Sequence, residues 1–381
     1  MTLTGLPLLI LLLLGAVLLL AGTYLAWPRW PHRIAPFARV TCLLVLMGWG
    51  ALVVGDQINR TFGFYSSLAD LLGSTPSAHS LAVLSGPRPE AGVEVTTPDW
   101  GTIGAANARL GRGEMLNVIF RGTRSHITRN GQVYLPAAYF VGQGDRRFGA
   151  IEFFHGYPGQ PDQFQRLLGI TNRLDQEIAA GRIPPVIGVF PRTFIGHTSE
   201  CVNAVGGQQN ATYLTVDVQD DMVNSFRVLP GRSWAALGVS TGGFCAANLG
   251  LQNPERFSAI ASLSGYFTAG EDVGAGSLYR GSRTARHENS PAWWVQHRAP
   301  TSPAIYLFAS GGDPSAVREV KGLQAIQKKY ARALPVTVSL ALRGGHNWKV
   351  WAGTIVPALD WLGAYLPAPL TPPLTENGTI S

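Results

Sequence analysis

Residues 5 to 27 read GLPLLILLLLGAVLLLAGTYLAW, and no charged side chain interrupts them. That run leaves little choice of environment. About 20 apolar residues in an α-helix span the ~30 Å hydrocarbon layer of a bilayer, and a helix apolar on every side has no face to turn to water. Residues 5–27 are therefore read as a membrane-spanning helix. A cleaved leader would open on a cationic segment, and Met1–Thr4 contains neither Lys nor Arg. The second apolar run, Val40–Gly55, is barely long enough to cross. It becomes a spanning helix of about 38–56 if Arg39 snorkels at one end and Asp56 marks the exit; the other reading is a buried or interfacial helix. The loop between the runs, PRWPHRIAPFAR, carries Arg29, Arg33 and Arg39 and no acid. The bias of basic loops toward the cytoplasm then places both ends of this hairpin outside, with Trp27, Trp30 and Trp49 suited to the interfaces.

The hairpin divides the rest of the chain into recognisable parts. After residues 1–56 comes a partly ordered juxtamembrane connector, 57–111, with turn-like pieces STPSAHS and SGPRPEAG and few long periodic runs. Residues 112–366 form one globular domain, and the proline-rich end, 367–381, reads as a disordered tail. The formal net charge of +7 comes from arginines scattered along the chain, since lysine occurs only at 321, 328, 329 and 349. No basic stretch interleaved with aromatics marks a nucleic-acid groove. The partners expected are a membrane and a small molecule.

Within the globular part, GEMLNVIF and GQVYLPAAY suggest two antiparallel edge strands. FGAIEFF, PPVIGVFP, WAALGV, FSAIASLS, PAIYLFAS and PVTVSLAL suggest buried strands bounded by Gly and Pro. Helical segments separate them at Phe164–Ala180, Leu214–Val228, Gly242–Gln252, Ser315–Ala333 and Trp348–Tyr365. Strands that alternate with helices build a doubly wound, mostly parallel α/β sheet, whose crevice lies beyond the C-terminal strand ends.

One motif sits at such a strand end. Gly238–Gly242 is Gly-x-Ser-x-Gly, a pattern that a chain with 45 Gly would produce ~0.3 times by chance. Its place decides its meaning: WAALGV before it is a strand, GGFCAANLGLQ after it a helix, and Ser240 occupies the turn between them. A serine hydroxyl needs a base, and His346 in LRGGHNWKVW follows the last strand and precedes the last helix. Asp313, in ASGGDPSAV, lies between them in the order Ser, acid, His. It also reads as a helix N-cap with Pro314 at the first position. Glu319 and Asp272 are the other acids considered. Two backbone N–H groups must meet the developing oxyanion; Thr241, after the serine, and Tyr157, in HGYPG, are the candidates. His155 closes a strand and is given no chemistry. Trp348 and Trp351 share a helix face, for core packing or acyl contact. Cys42 falls in the second apolar run, leaving Cys201 and Cys245 either bridged in an oxidising compartment or buried separately.

Taken in order, HGYPG, TYLTVDV, WAALGVSTGGFCAANLGLQNPERFSAIASLSGYF and GGHNWKVW resemble the putative esterase family of α/β-hydrolases, which includes carboxylesterases and the mycobacterial antigen mycolyltransferases. The resemblance covers roughly residues 110 to 366. NRTFGFYSSLADLLG, with the hairpin, is similar to membrane-anchored actinobacterial members. It implies the α/β-hydrolase fold behind an N-terminal transmembrane helical hairpin, with Ser240 as nucleophile, His346 as base, and Tyr157 and Thr241 as oxyanion donors. The mycolyltransferase branch carries its glutamate about where this chain has Ala316, so the acid departs from that branch, and Asp313 fits the wider esterase pattern. The expected activity is an extracytoplasmic serine esterase acting on a small-molecule or lipid acyl ester, with no metal or organic cofactor. The rivals are an acyltransferase that uses trehalose or another sugar hydroxyl, and a non-catalytic surface-binding protein.

Overall fold

A computed structural model describes residues 6–62, 92–141, 145–196, 198–270, 277–297 and 303–371. The chain separates into two units, Met1–Ser77 and Ala78–Ser381. In the first, α1 (Leu6–Ala26) and α2 (Ala35–Phe62) are joined through a 3-10 turn at Trp27–Arg29. Both helices are long and apolar enough to cross a membrane by length and composition, over Leu6–Arg29 and Ala35–Arg60. They pack side by side where Gly15 leaves room for the Trp49 ring, whose Nε1–H donates to Leu12 O at 2.8 Å. The Arg39 guanidinium lies 5.0 Å from the Trp27 ring centroid, so its charge rests on an aromatic face at the turn. Asp56 lies inside α2, which runs on past it.

In the second unit, long uncharged runs become strands because both faces of a central parallel strand are covered. The strands are β1 (Val93–Val95), β2 (Glu114–Arg121), β3 (Thr128–Leu135), β4 (Gly149–Phe154), β5 (Val186–Pro191), β6 (Trp234–Val239), β7 (Phe257–Leu263), β8 (Ala304–Ser310) and β9 (Val336–Ala341). They form one sheet in the order β1-β2-β3-β5-β4-β6-β7-β8-β9. Pairs from β1 to β5 across the sheet are antiparallel; all those from β5 to β9 are parallel. Every residue of β4, β5, β6 and β8 is buried. One core covers each face, the first with Leu116, Phe120, Leu214 and Ile260, the second with Phe153, Phe190, Leu237 and Ile355. The chain steps from β4 outward to β5 and returns on the other side to β6. That reversal opens a crevice between the β4 and β6 ends, the place where such sheets bind ligands.

The expected α/β-hydrolase architecture is the observed one, with local departures. The helix expected over 164–180 is two, Gln163–Leu168 and Ile170–Ala179, broken at Gly169, which takes φ 59. Tyr213–Asp217 is a π segment ahead of the helix Val218–Ser225, so the helix expected from Leu214 is irregular at its start. The connector, expected to be partly ordered, holds β1, which pairs with β2, and the helix Trp100–Ala108. Tail residue Leu370 exchanges backbone hydrogen bonds with Arg147. After β7 the chain makes an insert with two short helices, Arg283–Glu288 and Pro291–His297, too brief to signal themselves by periodicity. Its Ala269, Leu278 and Tyr279 form a small separate cluster with Val202 and with Phe244 of the helix Thr241–Gln252.

Candidate active site

Ser240 sits between β6 and the helix Thr241–Gln252 with φ 57 and ψ −125, a conformation that ordinary side chains rarely adopt. The two glycines of the motif make that turn possible. A Cβ on Gly238 would overlap the Gly242 carbonyl, and one on Gly242 would overlap the Phe154 carbonyl at the end of β4. Close passage of three backbones therefore requires glycine at both positions. The Ser240 N–H donates to Leu263 O at 2.9 Å, tying the turn to β7.

His346 meets the serine from the loop after β9. Its Nε2 lies 2.7 Å from Ser240 Oγ, and its Nδ1 lies 2.6 Å from Asp313 Oδ2. A carboxylate only accepts, so the proton belongs on Nδ1 and Nε2 is left to accept from the serine hydroxyl. The Asp313 side chain is 9% exposed and that of His346 42%, which sets the carboxylate behind an imidazole open to incoming molecules. The other Asp313 oxygen, Oδ1, accepts the Ala316 N–H at 3.1 Å, capping the helix Pro314–Tyr330. Ser310 Oγ lies 2.9 Å from Arg343 O and 2.7 Å from Gly344 O, holding the loop that carries His346. Trp351 backs the imidazole, with ring centroids 5.1 Å apart at 82°, and its Nε1–H donates to Ser264 Oγ at 3.1 Å. Trp348 and Trp351 are buried against each other and Phe164. Their shared face is core.

Glu319 is elsewhere: its Oε2 accepts the Phe267 N–H at 2.9 Å and steadies the insert. Asp272 lies outside the described residues. The segment ahead of Tyr157 passes close to the serine, for a Cβ on Gly156 would come within 3.2 Å of Ser240 Cβ. Thr241 opens its helix, where first-turn N–H groups have no acceptor within the helix. Cys201 and Cys245 are joined by a disulfide, Cα to Cα 5.5 Å, which links the chain after β5 to the helix behind Ser240.

The sequence reading left two buried groups without a role. His155 is 1% exposed; its Nδ1 lies 3.0 Å from Gly156 O, and its Nε2 accepts the Thr193 N–H at 3.1 Å. Burial lowers its pKa to about 3, so the ring is neutral. Glu152, in the middle of β4, is wholly buried with Gln219 Nε2 donating to its Oε2 at 3.3 Å. Burial pushes its carboxyl up to about 8. A charged residue inside FGAIEFF was the available signal for Glu152. For His155 the signal was its place one residue before the glycine beside the serine. Among the described residues no cluster of three His, Cys, Asp or Glu side chains could hold a metal ion.

Comparison with known proteins agrees with this architecture. The family model described as "Putative esterase" matches residues 126–362. An uncharacterized protein of Corynebacterium glutamicum is 26% identical over 271 residues, 66% of this chain; the match spans 62% of that relative's length. A ferulic acid esterase structure superposes with a TM-score of 0.59 at 17% identity, covering 67% of this chain and 99% of its own. An S-formylglutathione hydrolase from Agrobacterium tumefaciens gives 0.59 at 14% identity, over 72% of this chain and all of its own (100%). A fluorophosphonate-binding serine hydrolase of Staphylococcus aureus gives 0.57 at 16%, over 66% and 99%. At these identities the structures share the fold.

Proposed function

The chain belongs to the putative esterase family, and from that premise we propose that it is a membrane-anchored serine esterase whose catalytic unit works outside the cytoplasm. The observation that carries the reading is the continuous chain of hydrogen bonds from Ser240 through His346 to Asp313, at 2.7 and 2.6 Å. His346 Nε2 takes the proton as Ser240 Oγ attacks the ester carbonyl. Asp313 keeps the second imidazole proton on Nδ1 and stabilises the cation that forms. The carbonyl oxygen, now negative, is met by the N–H groups of Tyr157 and Thr241, each worth ~3 kcal/mol of barrier in such sites. The alcohol leaves with the proton from His346. Water, deprotonated by the same nitrogen, then releases the acid from the acyl-enzyme.

The anchor is argued from α1 and α2 and from the basic residues Arg29, Arg33 and Arg39 in and beside the turn between them, which favour a cytoplasmic turn. The Cys201–Cys245 disulfide suits an oxidising compartment. The substrate class is an acyl ester of a small molecule or lipid.

The test is a fluorophosphonate probe on the full chain in detergent. Labelling should appear in the native protein and vanish in Ser240→Ala, and p-nitrophenyl esters should turn over in parallel. Folded native protein that neither labels nor hydrolyses would leave a binding protein as the better account. The same esters offered with trehalose separate hydrolysis from transfer, since acyl-sugar forming faster than free acid would replace the esterase by an acyltransferase.

A further inference from the structure

The peptide unit between Gly156 and Tyr157 has no side chain of its own to aim it. It is trans, and a trans peptide is a rigid plate with its C=O and N–H on opposite edges. Whatever holds the Gly156 carbonyl therefore also sets the direction of the Tyr157 N–H. The holder in this chain is His155. Its Nε2 faces the Thr193 N–H at 3.1 Å, and a backbone N–H can only donate. Nε2 is thus the bare nitrogen, and Nδ1 carries the proton it donates to Gly156 O at 3.0 Å. Thr193 Oγ1, also 3.1 Å from Nε2, adds a second contact on that side. Phe194 packs edge-on against the imidazole at 5.1 Å and against the Tyr157 ring at 4.9 Å, closing the pocket. Gly159 folds back over the bond, where a Cβ would lie 3.2 Å from Nδ1 and overlap the Gly156 oxygen.

We infer that His155 is a positioning residue for the oxyanion contact: its Nδ1–H, by holding the Gly156 carbonyl, turns the Tyr157 N–H toward the oxygen that becomes negative when Ser240 attacks an ester. The inference rests on the acyl-enzyme reading above. It also explains why a histidine one residue from the site is sealed away from solvent. A second proton on the ring would set Nε2–H against the Thr193 N–H, and burial keeps that proton off.

Two substitutions divide the two nitrogens. Asn carries its amide nitrogen near the position of Nδ1, and Gln reaches nearer that of Nε2. With p-nitrophenyl esters and the full chain in detergent, His155→Asn should keep kcat within about tenfold of the native value. His155→Gln and His155→Leu should lose about 10²-fold or more with KM within about threefold, the scale of a lost oxyanion donor. A histidine that merely braces the loop through Thr193 would give the opposite order, and Gln equal to or better than Asn overturns the inference. Melting curves show whether each variant folds. If either does not, selective ¹⁵N-histidine spectra of the native protein decide. A neutral ring protonated on Nδ1 from pH 5 to 9 is expected, and an Nε2–H tautomer or a titrating ring overturns the inference. Native protein with neither turnover nor probe labelling would instead remove the esterase reading, and this inference with it.

Discussion

Asp313 serves two partners with two oxygens, and one atom-for-atom change separates them. In Asp313→Asn the side chain keeps one oxygen and gains an NH2. The Ala316 N–H, 3.1 Å from Oδ1, needs an acceptor, so it pins the amide oxygen at the helix cap. That leaves the NH2 in the place of Oδ2, facing His346 Nδ1, where the aspartate accepts at 2.6 Å. Two donors cannot face each other. The imidazole moves its proton to Nε2 and can no longer accept from Ser240. Loss of the correct tautomer costs ~10⁴ in kcat in triads of this kind, about 5 kcal/mol of barrier. Because the cap survives, unfolding free energy should fall by less than about 1 kcal/mol. Asp313→Ala removes cap and carboxylate together, so its activity should be comparably low and its stability lower by about a further 1 kcal/mol. Hydrolysis of p-nitrophenyl butyrate and urea denaturation of both variants supply the two readings. An Asn variant that keeps more than about a tenth of native kcat would refute the tautomer argument, and Asn and Ala variants of equal stability would refute the cap.

Glu152 predicts a pH dependence of stability. Its folded pKa of about 8 exceeds the ordinary 4.5, so between those values the folded chain holds a proton that the unfolded chain has lost. Stability therefore falls as pH rises through this window, by up to about 1.4 kcal/mol per pH unit from this group. Glu152→Gln should flatten the plot of urea midpoint against pH; equal slopes in the two proteins would contradict the assignment. The Cys201–Cys245 bridge spans a sequence separation of 44. Loop-closure entropy then puts its contribution at about 4 kcal/mol. Reduction, or Cys201→Ser with Cys245→Ser, should lower stability on that scale, and a loss below about 1 kcal/mol would count against it.

Much of the fold could be read from the sequence because the central strands are unbroken apolar runs, the pattern of strands covered on both sides. WAALGV and PAIYLFAS are of that kind, and β6 and β8 are buried along their whole length. Gly238 and Gly242 were readable for a related reason: the turn at Ser240 admits no Cβ at either. What escaped reading depends on approach through space. The work of His155 is set by Thr193, 38 positions away, and no periodicity joins them. Gly169 lies within the helix expected over 164–180, yet its φ of 59 ends the first helix and starts the second. The helices of the insert are six and seven residues long, shorter than two full turns, and their apolar positions divide between two clusters, Ala285 against the side cluster and Val295 in the first large core.

That side cluster has a thermodynamic consequence. Ser240, Asp313 and His346 stand on or after the ends of β6, β8 and β9, in a sheet covered by the two large cores. The insert packs on the side cluster and on one of these cores: its Ala269, Leu278 and Tyr279 join Val202 and Phe244 in the side cluster, while its Phe267 and Val295 are buried in the first large core. Opening the insert would uncover Phe267 and Val295 of the first large core as well as the side cluster, so its cost is coupled to that of the sheet. The covalent tie from Cys201 to Cys245 joins the Val202 side of the cluster to the helix that carries Phe244, so the two walls of the cluster outside the insert move as one.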